Sequence, residues 1–276
     1  MLGVKPKNRF AAFEYRAKKE PKALRVLFEG DSWFDYPFYG DLSGAIPQLG
    51  DPDMNELSRA SAGDTLYNMV KPDQLGILAA DLRDYDLQAL FLSGGGNDVL
   101  NVHLPEIIRD GVGTGLTPED AVHRAVDPVV LKAVLTLLMG YYRRLFAVRD
   151  QHRPQCHIFT HGYDYIHPRD KGFHLYAEWT DCWVHPTLMA KGIPKKCHKA
   201  ITDHLIDQFN ETLQKAVADL GPDSRIHHVD LRGTLTSIKD WCDEIHPTPK
   251  GFAKLAGVYL LILQKVFPEH ALHAPS

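Results

Sequence analysis

The chain has 276 residues, of which 44% are hydrophobic and 24% are charged, and its formal net charge at pH 7 is −4. These values are ordinary for a globular domain and provide no strongly basic surface that would favour nucleic acid as a partner. The most apolar stretch, residues 129–139, falls well short of the ~20 residues that a membrane span needs. The length fits one domain over residues 1–276 with an N-terminal extension, residues 1–23, and one insertion; it leaves the oligomeric state open.

The N-terminal segment is basic, with seven Lys and Arg residues between positions 5 and 22. It lacks the apolar core and small-residue cleavage site of a secretory signal, which predicts a cytoplasmic protein. The cysteines are too few and too widely spaced for a disulfide framework, so we expect reduced thiols at Cys156, Cys182, Cys197 and Cys242.

The first strong strand pattern ends at a serine. Residues 24–29 read Leu-Arg-Val-Leu-Phe-Glu and lead into Gly30, Asp31 and Ser32. A buried parallel strand delivers a side chain to the carboxyl edge of a sheet in this way, and Gly30 permits a sharp turn there. The Ser32 hydroxyl is therefore a candidate nucleophile, which needs a nearby base oriented by an acid.

Two later strand ends offer hydrogen-bond donors, at Gly63 and Asn97. A backbone N–H at a glycine is open to a substrate oxygen, and the Asn97 side chain brings an NH₂ group to a neighbouring strand end. Together with the N–H of Ser32, these groups predict an oxyanion hole with three donors. We expect the adjacent Asp98 to stabilise its own turn through local backbone hydrogen bonds.

The remaining periodic segments complete an alternating pattern of strands and helices. Strands are predicted at residues 54–60, 87–92, 155–160 and 225–229, and helices at residues 10–19, 74–83, 129–148, 202–218 and 249–267. Such alternation predicts a parallel sheet that is covered by helices on both faces.

Residues 161–199 are rich in histidine and aromatic residues but show no steady period, and we interpret them as an insertion or lid over the carboxyl edge of the sheet. Tyr163 and Trp183 from this segment, with Trp33 and Phe34 beside the serine, are candidate substrate-binding residues. Their rings suit a sugar or an acyl chain, and packing within the protein is the alternative.

The same segment contains a possible zinc-ligand pattern, Cys182, His185, Cys197 and His198. The adjacent Cys197 and His198 point poorly at one tetrahedral ion, and the spacing does not match the usual zinc motifs. We therefore predict no metal and no cofactor.

A base and an orienting acid occur near the end of the chain, in Asp243 and His246. An aspartate three residues before a histidine can accept the Nδ1 proton of the imidazole and leave Nε2 free to act as a base. Pro247 keeps His246 out of a helix, while Thr248 and Pro249 read as the cap and first residue of the closing helix.

In this order, the four blocks resemble those of the SGNH hydrolases, also called the GDSL esterase/lipase family. The matching residues are Gly30-Asp31-Ser32, Gly63, Gly95-Gly96-Asn97-Asp98 and Asp243-Glu244-Ile245-His246. The resemblance implies a three-layer α/β/α sandwich with a flavodoxin-like parallel sheet of about five strands. It also assigns Ser32 as nucleophile, Asp243 and His246 as its partners, and Ser32, Gly63 and Asn97 as oxyanion donors.

The function that this resemblance implies is hydrolysis of a small-molecule carboxylic ester through an acyl-enzyme intermediate. An acyltransferase, a carbohydrate deacetylase or a lysophospholipase would use the same residues, and a non-catalytic binding module is a further alternative. Two positions depart from the family pattern: Trp33 stands in place of a leucine, and Gly96 fills the variable position of the third block. Both bear on the shape of the acyl pocket, and hence on the substrate.

Overall fold

The structure is a computed structural model, and its description covers residues 9–37, 40–50, 54–110, 113, 115–172, 174–175, 178–179 and 182–270. Two aromatic residues of the predicted insertion, Phe173 and Tyr176, lie outside the described residues.

The described residues form seven strands: β1 (Leu24–Gly30), β2 (Met54–Ser58), β3 (Ala89–Ser93), β4 (His157–His161), β5 (His174–Leu175), β6 (Glu178–Trp179) and β7 (Ile226–Val229). β5 and β6 form a separate antiparallel pair. The other five form one parallel sheet in the order β2-β1-β3-β4-β7. Counted within this sheet alone, the order is 2-1-3-4-5, that of flavodoxin-like folds, which confirms the predicted architecture.

Ten α-helices accompany the strands: α1 (Arg9–Lys19), α2 (Leu42–Gly50), α3 (Leu66–Met69), α4 (Pro72–Asp84), α5 (Leu104–Ile107), α6 (Pro118–Ala125), α7 (Pro128–His152), α8 (His185–Ala190), α9 (Lys195–Ala218) and α10 (Pro249–Val266), all counted within the described residues. In one layer α2 packs on α10, and in the other α7 packs on α4 and α9. These two layers enclose the sheet and give the three-layer sandwich.

Side chains that alternate along the strands build the core on each face of the sheet. On one face Phe28, Phe91 and Phe159 come from the adjacent strands β1, β3 and β4 and stack with ring centroids 4.6 and 5.1 Å apart. Tyr259 of α10 contacts the middle ring at 5.7 Å. This aromatic row fixes the relative height of three strands, and therefore the height at which their carboxyl ends stop.

The closing helix begins as the sequence predicts. Thr248 is the N-cap of α10, its side chain accepts a hydrogen bond from the N–H of Gly251, and Pro249 is the first helical residue. The helix start therefore holds the end of the preceding loop, which contains His246.

The predicted insertion differs from the structure at its C-terminal boundary. α9 begins at Lys195, after Pro194 at the N-cap, so residues 195–199 are helical. This early start is stabilised by burial of Cys197 and His198, whose ring Nε2 lies 2.9 Å from the carbonyl oxygen of Ile193. We call the chain between β4 and α9, residues 162–194, the cover segment.

Within the described part of the chain, every helix falls short of a membrane span in length or in apolar content.

Candidate active site

Ser32, His246 and Asp243 form a continuous chain of hydrogen bonds at the carboxyl edge of the sheet. Ser32 Oγ lies 2.8 Å from His246 Nε2, and His246 Nδ1 lies 2.8 Å from Asp243 Oδ2. A carboxylate can only accept, so Nδ1 carries the ring proton and Nε2 is left to accept from the serine hydroxyl. All three side chains are buried. The first and last quarters of the chain therefore meet at this point.

The loop before α10 holds Asp243 as an anion. Its Oδ1 accepts hydrogen bonds from the backbone N–H groups of Ile245 at 2.9 Å and His246 at 2.7 Å. Burial acts to raise the pKa of this carboxyl, but the hydrogen bonds from His246 and Ile245 outweigh it and bring the pKa below its ordinary value. Asp243 is thus charged where it orients the imidazole.

Tyr36 supports the same pair, which the sequence patterns did not predict. Its hydroxyl donates to Asp243 Oδ2 at 3.2 Å, and its ring stacks on the His246 ring with centroids 4.4 Å apart. The only signal in the sequence is that an aromatic residue lies close to the serine, which by itself does not distinguish support from packing.

The turn that carries Ser32 is organised by the preceding aspartate. Asp31 Oδ1 accepts from the N–H of Trp33 at 3.0 Å and from the Ser93 hydroxyl at 2.8 Å, while Oδ2 accepts from the Tyr163 hydroxyl. Burial raises the pKa of Asp31 from 3.8 to about 6, against the lowering effect of these hydrogen bonds. Gly30 is required here because a Cβ would lie 2.1 Å from the carbonyl oxygen of Ser93.

Gly63 lies in a turn, Asn97 lies at the start of a short helical segment that continues to Val102, and a hydrogen bond joins the two. Asn97 Nδ2 donates to the carbonyl oxygen of Asp64 at 2.8 Å, which leaves the second N–H of this amide for another acceptor. Gly63 has φ +82°, and no atom of the described residues lies within 4 Å of the position that a Cβ would take, so backbone conformation explains the glycine. Among the described residues, neither the N–H of Gly63 nor that of Ser32 has an acceptor.

The Asp98 carboxylate has a partner beyond its own turn, which the sequence did not predict. Asp98 Oδ2 accepts from the backbone N–H of Leu66, at the start of α3, at 2.9 Å. Asp98 is buried, and this bond between distant segments satisfies its carboxylate. It therefore ties the helical segment that begins at Asn97 to the helix that follows Gly63.

A small cleft opens beside Ser32, and three of the four predicted substrate-binding residues line it. Its volume is about 20 Å³, and its lining includes Trp33, Asn97, Tyr163 and Trp183. Such a volume corresponds to roughly one water-sized sphere. Phe34 lies elsewhere: its side chain is fully buried and packs edge-on against Phe28 with centroids 5.1 Å apart.

One tyrosine of the cover segment explains both departures from the family pattern. A Cβ on Gly96 would lie 2.8 Å from the Tyr163 ring, so only glycine fits beneath it. Trp33 packs edge-on against the same ring at 5.0 Å, and its indole N–H donates to the carbonyl oxygen of Ile245 at 3.2 Å. Tyr163 itself adopts φ +70°, which is uncommon for a bulky residue. The cleft wall is thus built jointly by these residues.

The possible zinc ligands of the cover segment and α9 have other contacts. The rings of His185 and His198 meet edge-on at 5.3 Å, and Cys197 Sγ lies 3.7 Å from the carbonyl oxygens of Leu116 and Thr117. Among the described residues, no three His, Cys, Asp or Glu side chains are placed to hold a metal ion.

The parallel five-stranded sheet and its flanking helices define the three-layer α/β fold of the SGNH hydrolases, which the sequence resembles. An extracellular lipase from Streptomyces rimosus superposes with a TM-score of 0.53 at 16% identity, covering 88% of this chain and 99% of the lipase. A family 3 carbohydrate esterase from Clostridium thermocellum gives 0.51 at 14% identity, covering 91% and 100%.

A third similar structure, from Parabacteroides merdae, is described as GDSL-like. Its TM-score is 0.52 at 15% identity, and the match covers 87% of this chain and 95% of that protein. At identities this low, the structural similarity establishes a shared fold and nothing further. Neither family models nor the sequences of curated proteins give a match to this chain.

Proposed function

We propose that this chain is a serine hydrolase of the SGNH family that cleaves small-molecule carboxylic esters. The observation that carries the proposal is the unbroken hydrogen-bonded chain from Ser32 through His246 to Asp243, with two links of 2.8 Å. This arrangement turns a serine hydroxyl, which is otherwise a weak nucleophile, into a reactive one.

The first half-reaction transfers the acyl group to the enzyme. His246 Nε2 takes the proton of Ser32 as its Oγ attacks the ester carbonyl carbon, and the charge of Asp243 stabilises the resulting imidazolium. His246 then gives the proton to the departing alcohol oxygen, and the ester bond breaks. The acyl group is left bonded to Ser32 Oγ.

The oxyanion formed during this attack is held by the N–H groups of Ser32 and Gly63 and by the Asn97 amide. The bond from Asn97 to Asp64 supports this role, because it fixes the amide while leaving one N–H to donate. Fixed donors stabilise the transition state without reorganising at the moment of reaction.

Water completes the cycle in the second half-reaction. His246 removes a proton from the water as its oxygen attacks the acyl-enzyme, and then returns the proton to Ser32 as the acid leaves. An acyltransferase would place an alcohol in the role of this water, and product analysis with added alcohol distinguishes the two.

The size of the cleft favours a short acyl group. The rings of Trp33, Tyr163 and Trp183 line the cleft beside Ser32 and leave little room for the long acyl chain of a lipid. A carbohydrate deacetylase is therefore the second candidate within this class.

Hydrolysis of p-nitrophenyl acetate tests the proposal. The wild-type protein should release p-nitrophenolate with turnover, and Ser32→Ala should abolish this turnover. Ser224→Ala is the matched control, because Ser224 precedes β7 at the opposite end of the sheet and its hydroxyl donates to the carbonyl oxygen of Gly221. If Ser32→Ala retains wild-type turnover, the proposal is wrong.

A further inference from the structure

Glu244 lies between Asp243 and His246 in the sequence, yet its side chain contacts another part of the molecule. It is fully buried, and its Oε2 accepts hydrogen bonds from the N–H groups of Trp183 at 2.8 Å and Val184 at 2.9 Å. Its Oε1 accepts from the N–H of His185 at 2.7 Å. One carboxylate therefore fixes three successive backbone groups of the cover segment.

The backbone of the same residue holds a second part of the cover segment. The N–H of Glu244 donates to the carbonyl oxygen of Lys171, and its own carbonyl oxygen accepts from the N–H of His167, both at 3.1 Å. Arg169 adds a hydrogen bond at 2.9 Å to the carbonyl oxygen of Asp243. Two parts of the cover segment, residues 167–171 and residues 183–185, are thus attached to the loop that carries His246.

The three N–H groups held by Glu244 set the position of an indole ring in the cleft. Trp183 packs edge-on against His246, with centroids 5.1 Å apart and planes at 79°, and it lines the cleft beside Ser32. A displaced backbone at residues 183–185 would move this ring away from the reacting groups.

We propose that Glu244 is a positioning residue that holds Trp183 as a wall of the cleft and thereby limits the size of the acyl group. This inference rests on the proposed ester hydrolysis. Glu244 itself does not touch the reacting atoms; it acts through Trp183.

The chemistry of the contact requires a carboxylate. Three donors share two oxygens that both accept, and hydrogen bonds to a buried charged group are stronger than those between neutral groups. A glutamine replaces one acceptor oxygen with an NH₂ group that can only donate, so at least one N–H of residues 183–185 loses its partner. Glu244→Gln should therefore loosen this part of the cover segment while keeping the size of the side chain.

The test compares kcat and KM for p-nitrophenyl acetate and p-nitrophenyl hexanoate. The ratio of kcat/KM for hexanoate to that for acetate should rise about tenfold or more in Glu244→Gln, because a pocket wall discriminates by such factors. Trp183→Ala should raise the same ratio. The ratio in the double variant should differ little from the ratio in Trp183→Ala, because both changes remove the same wall of the cleft.

Asp164→Asn is the matched control. Asp164 is also a fully buried carboxylate of the cover segment, and it accepts the N–H groups of Tyr165, Gly233 and Leu235 at 2.6–2.7 Å. Its partners lie outside the cleft lining, so this variant should lower the midpoint of urea unfolding and keep the wild-type ratio.

Hydrogen exchange provides a measurement that does not depend on turnover. The amides of residues 183–185 should exchange faster in Glu244→Gln than in the wild type. A wild-type ratio in Glu244→Gln or in Trp183→Ala would overturn the inference. If instead the wild type shows no hydrolysis that depends on Ser32, the proposed function itself fails, and the two failures are thereby distinguished.

Discussion

Two regions surround the cleft, and they are built differently. Ser32 and Asn97 follow strands of the parallel sheet, and His246 lies two residues before Thr248, the cap of α10. Tyr163 and Trp183 belong to the cover segment, which is attached through their contacts with Asp31 and Glu244. The first region is fixed by regular secondary structure, and the second by a few buried carboxylates.

This difference indicates a division of roles. In the proposed mechanism, the segments that carry Ser32, Asn97 and His246, which we call the strand-end loops, supply the groups that react, and their positions follow from the sheet and the start of α10. The cover segment shapes the cleft without supplying a reacting group. We therefore expect changes in the strand-end loops to alter kcat by orders of magnitude, and changes in the cover segment or its contacts to alter selectivity or stability.

The largest expected effect is the loss of the proposed base. His246→Ala should lower kcat by about 10⁴-fold or more, because the serine then has no group to accept its proton. Trp183→Phe, in the cover segment, keeps an aromatic ring against the same site and should change kcat by less than about tenfold. Steady-state kinetics on an aryl acetate checks both. Comparable losses in the two variants would break the division of roles.

A smaller loss is expected at the proposed oxyanion donor. Asn97→Ala should lower kcat by about 10²- to 10³-fold, the usual cost of removing one such donor. Asn101 also lines the cleft, and Asn101→Ala should change kcat by less than about tenfold because we assign it no donor role. Equal kinetics in the two alanine variants would remove Asn97 from the oxyanion hole.

Asp31 predicts a pH dependence of stability. Burial raises its pKa from 3.8 to about 6, so between these values the unfolded chain has released a proton that the folded protein retains. The contribution of this group to the free energy of unfolding is therefore present below about pH 4 and is lost as the pH rises through about 6. The loss is about 3 kcal/mol, from ~1.36 kcal/mol per pKa unit.

Asp31→Asn removes this titration and retains an oxygen that can accept from Ser93 and Trp33. Relative to wild type, it should gain about 3 kcal/mol in free energy of unfolding between pH 4 and pH 7, measured with urea. Tyr163→Phe removes a hydrogen bond that lowers the Asp31 pKa, so the free energy of unfolding should fall more steeply with pH in this variant than in the wild type. Asp73→Asn, at an exposed position of α4, should show no such gain. If the free energy of unfolding changes with pH in the same way in Asp31→Asn and in wild type, the buried carboxyl of Asp31 is not the cause of the pH dependence.

The smallest expected effect concerns the contact between the two regions. Gly96→Ala places a Cβ 2.8 Å from the Tyr163 ring and should lower the free energy of unfolding by about 1–3 kcal/mol. Gly140 lies within α7, and a Cβ there would meet no atom within 4 Å in the part of the chain that the structure describes, so Gly140→Ala should raise stability by about 1 kcal/mol. Urea unfolding of both variants compares them directly. An unchanged free energy of unfolding in Gly96→Ala would show that the cover segment can move to accommodate the added methyl group at little cost.

The strand-end loops could be predicted from the sequence because their positions follow from local patterns. An apolar strand that stops at Gly30, and a helix that is capped at Thr248, each fix where the nearby Ser32 or His246 must lie. Parallel strands then bring such ends to one edge of the sheet. The parallel sheet with helices on both faces and the closing helix were correctly predicted for this reason.

The cover segment could not be predicted, because its conformation depends on contacts between residues far apart in the sequence. Tyr163 meets Asp31 across 132 positions, and Trp183 meets Glu244 across 61 positions. Local periodicity gives no information about such pairs, and for the same reason it did not predict the hydrogen bond from Leu66 to Asp98. The aromatic composition indicated a cleft wall but did not indicate which carboxylate holds each ring.

Reaction with a fluorophosphonate probe, followed by peptide mass spectrometry, tests the central claim most directly. The account predicts one adduct per chain, located on Ser32, which forms much more slowly in His246→Ala and is absent in Ser32→Ala. Ester hydrolysis by a wild-type protein that carries no adduct on Ser32, or an adduct that persists in Ser32→Ala, would contradict it.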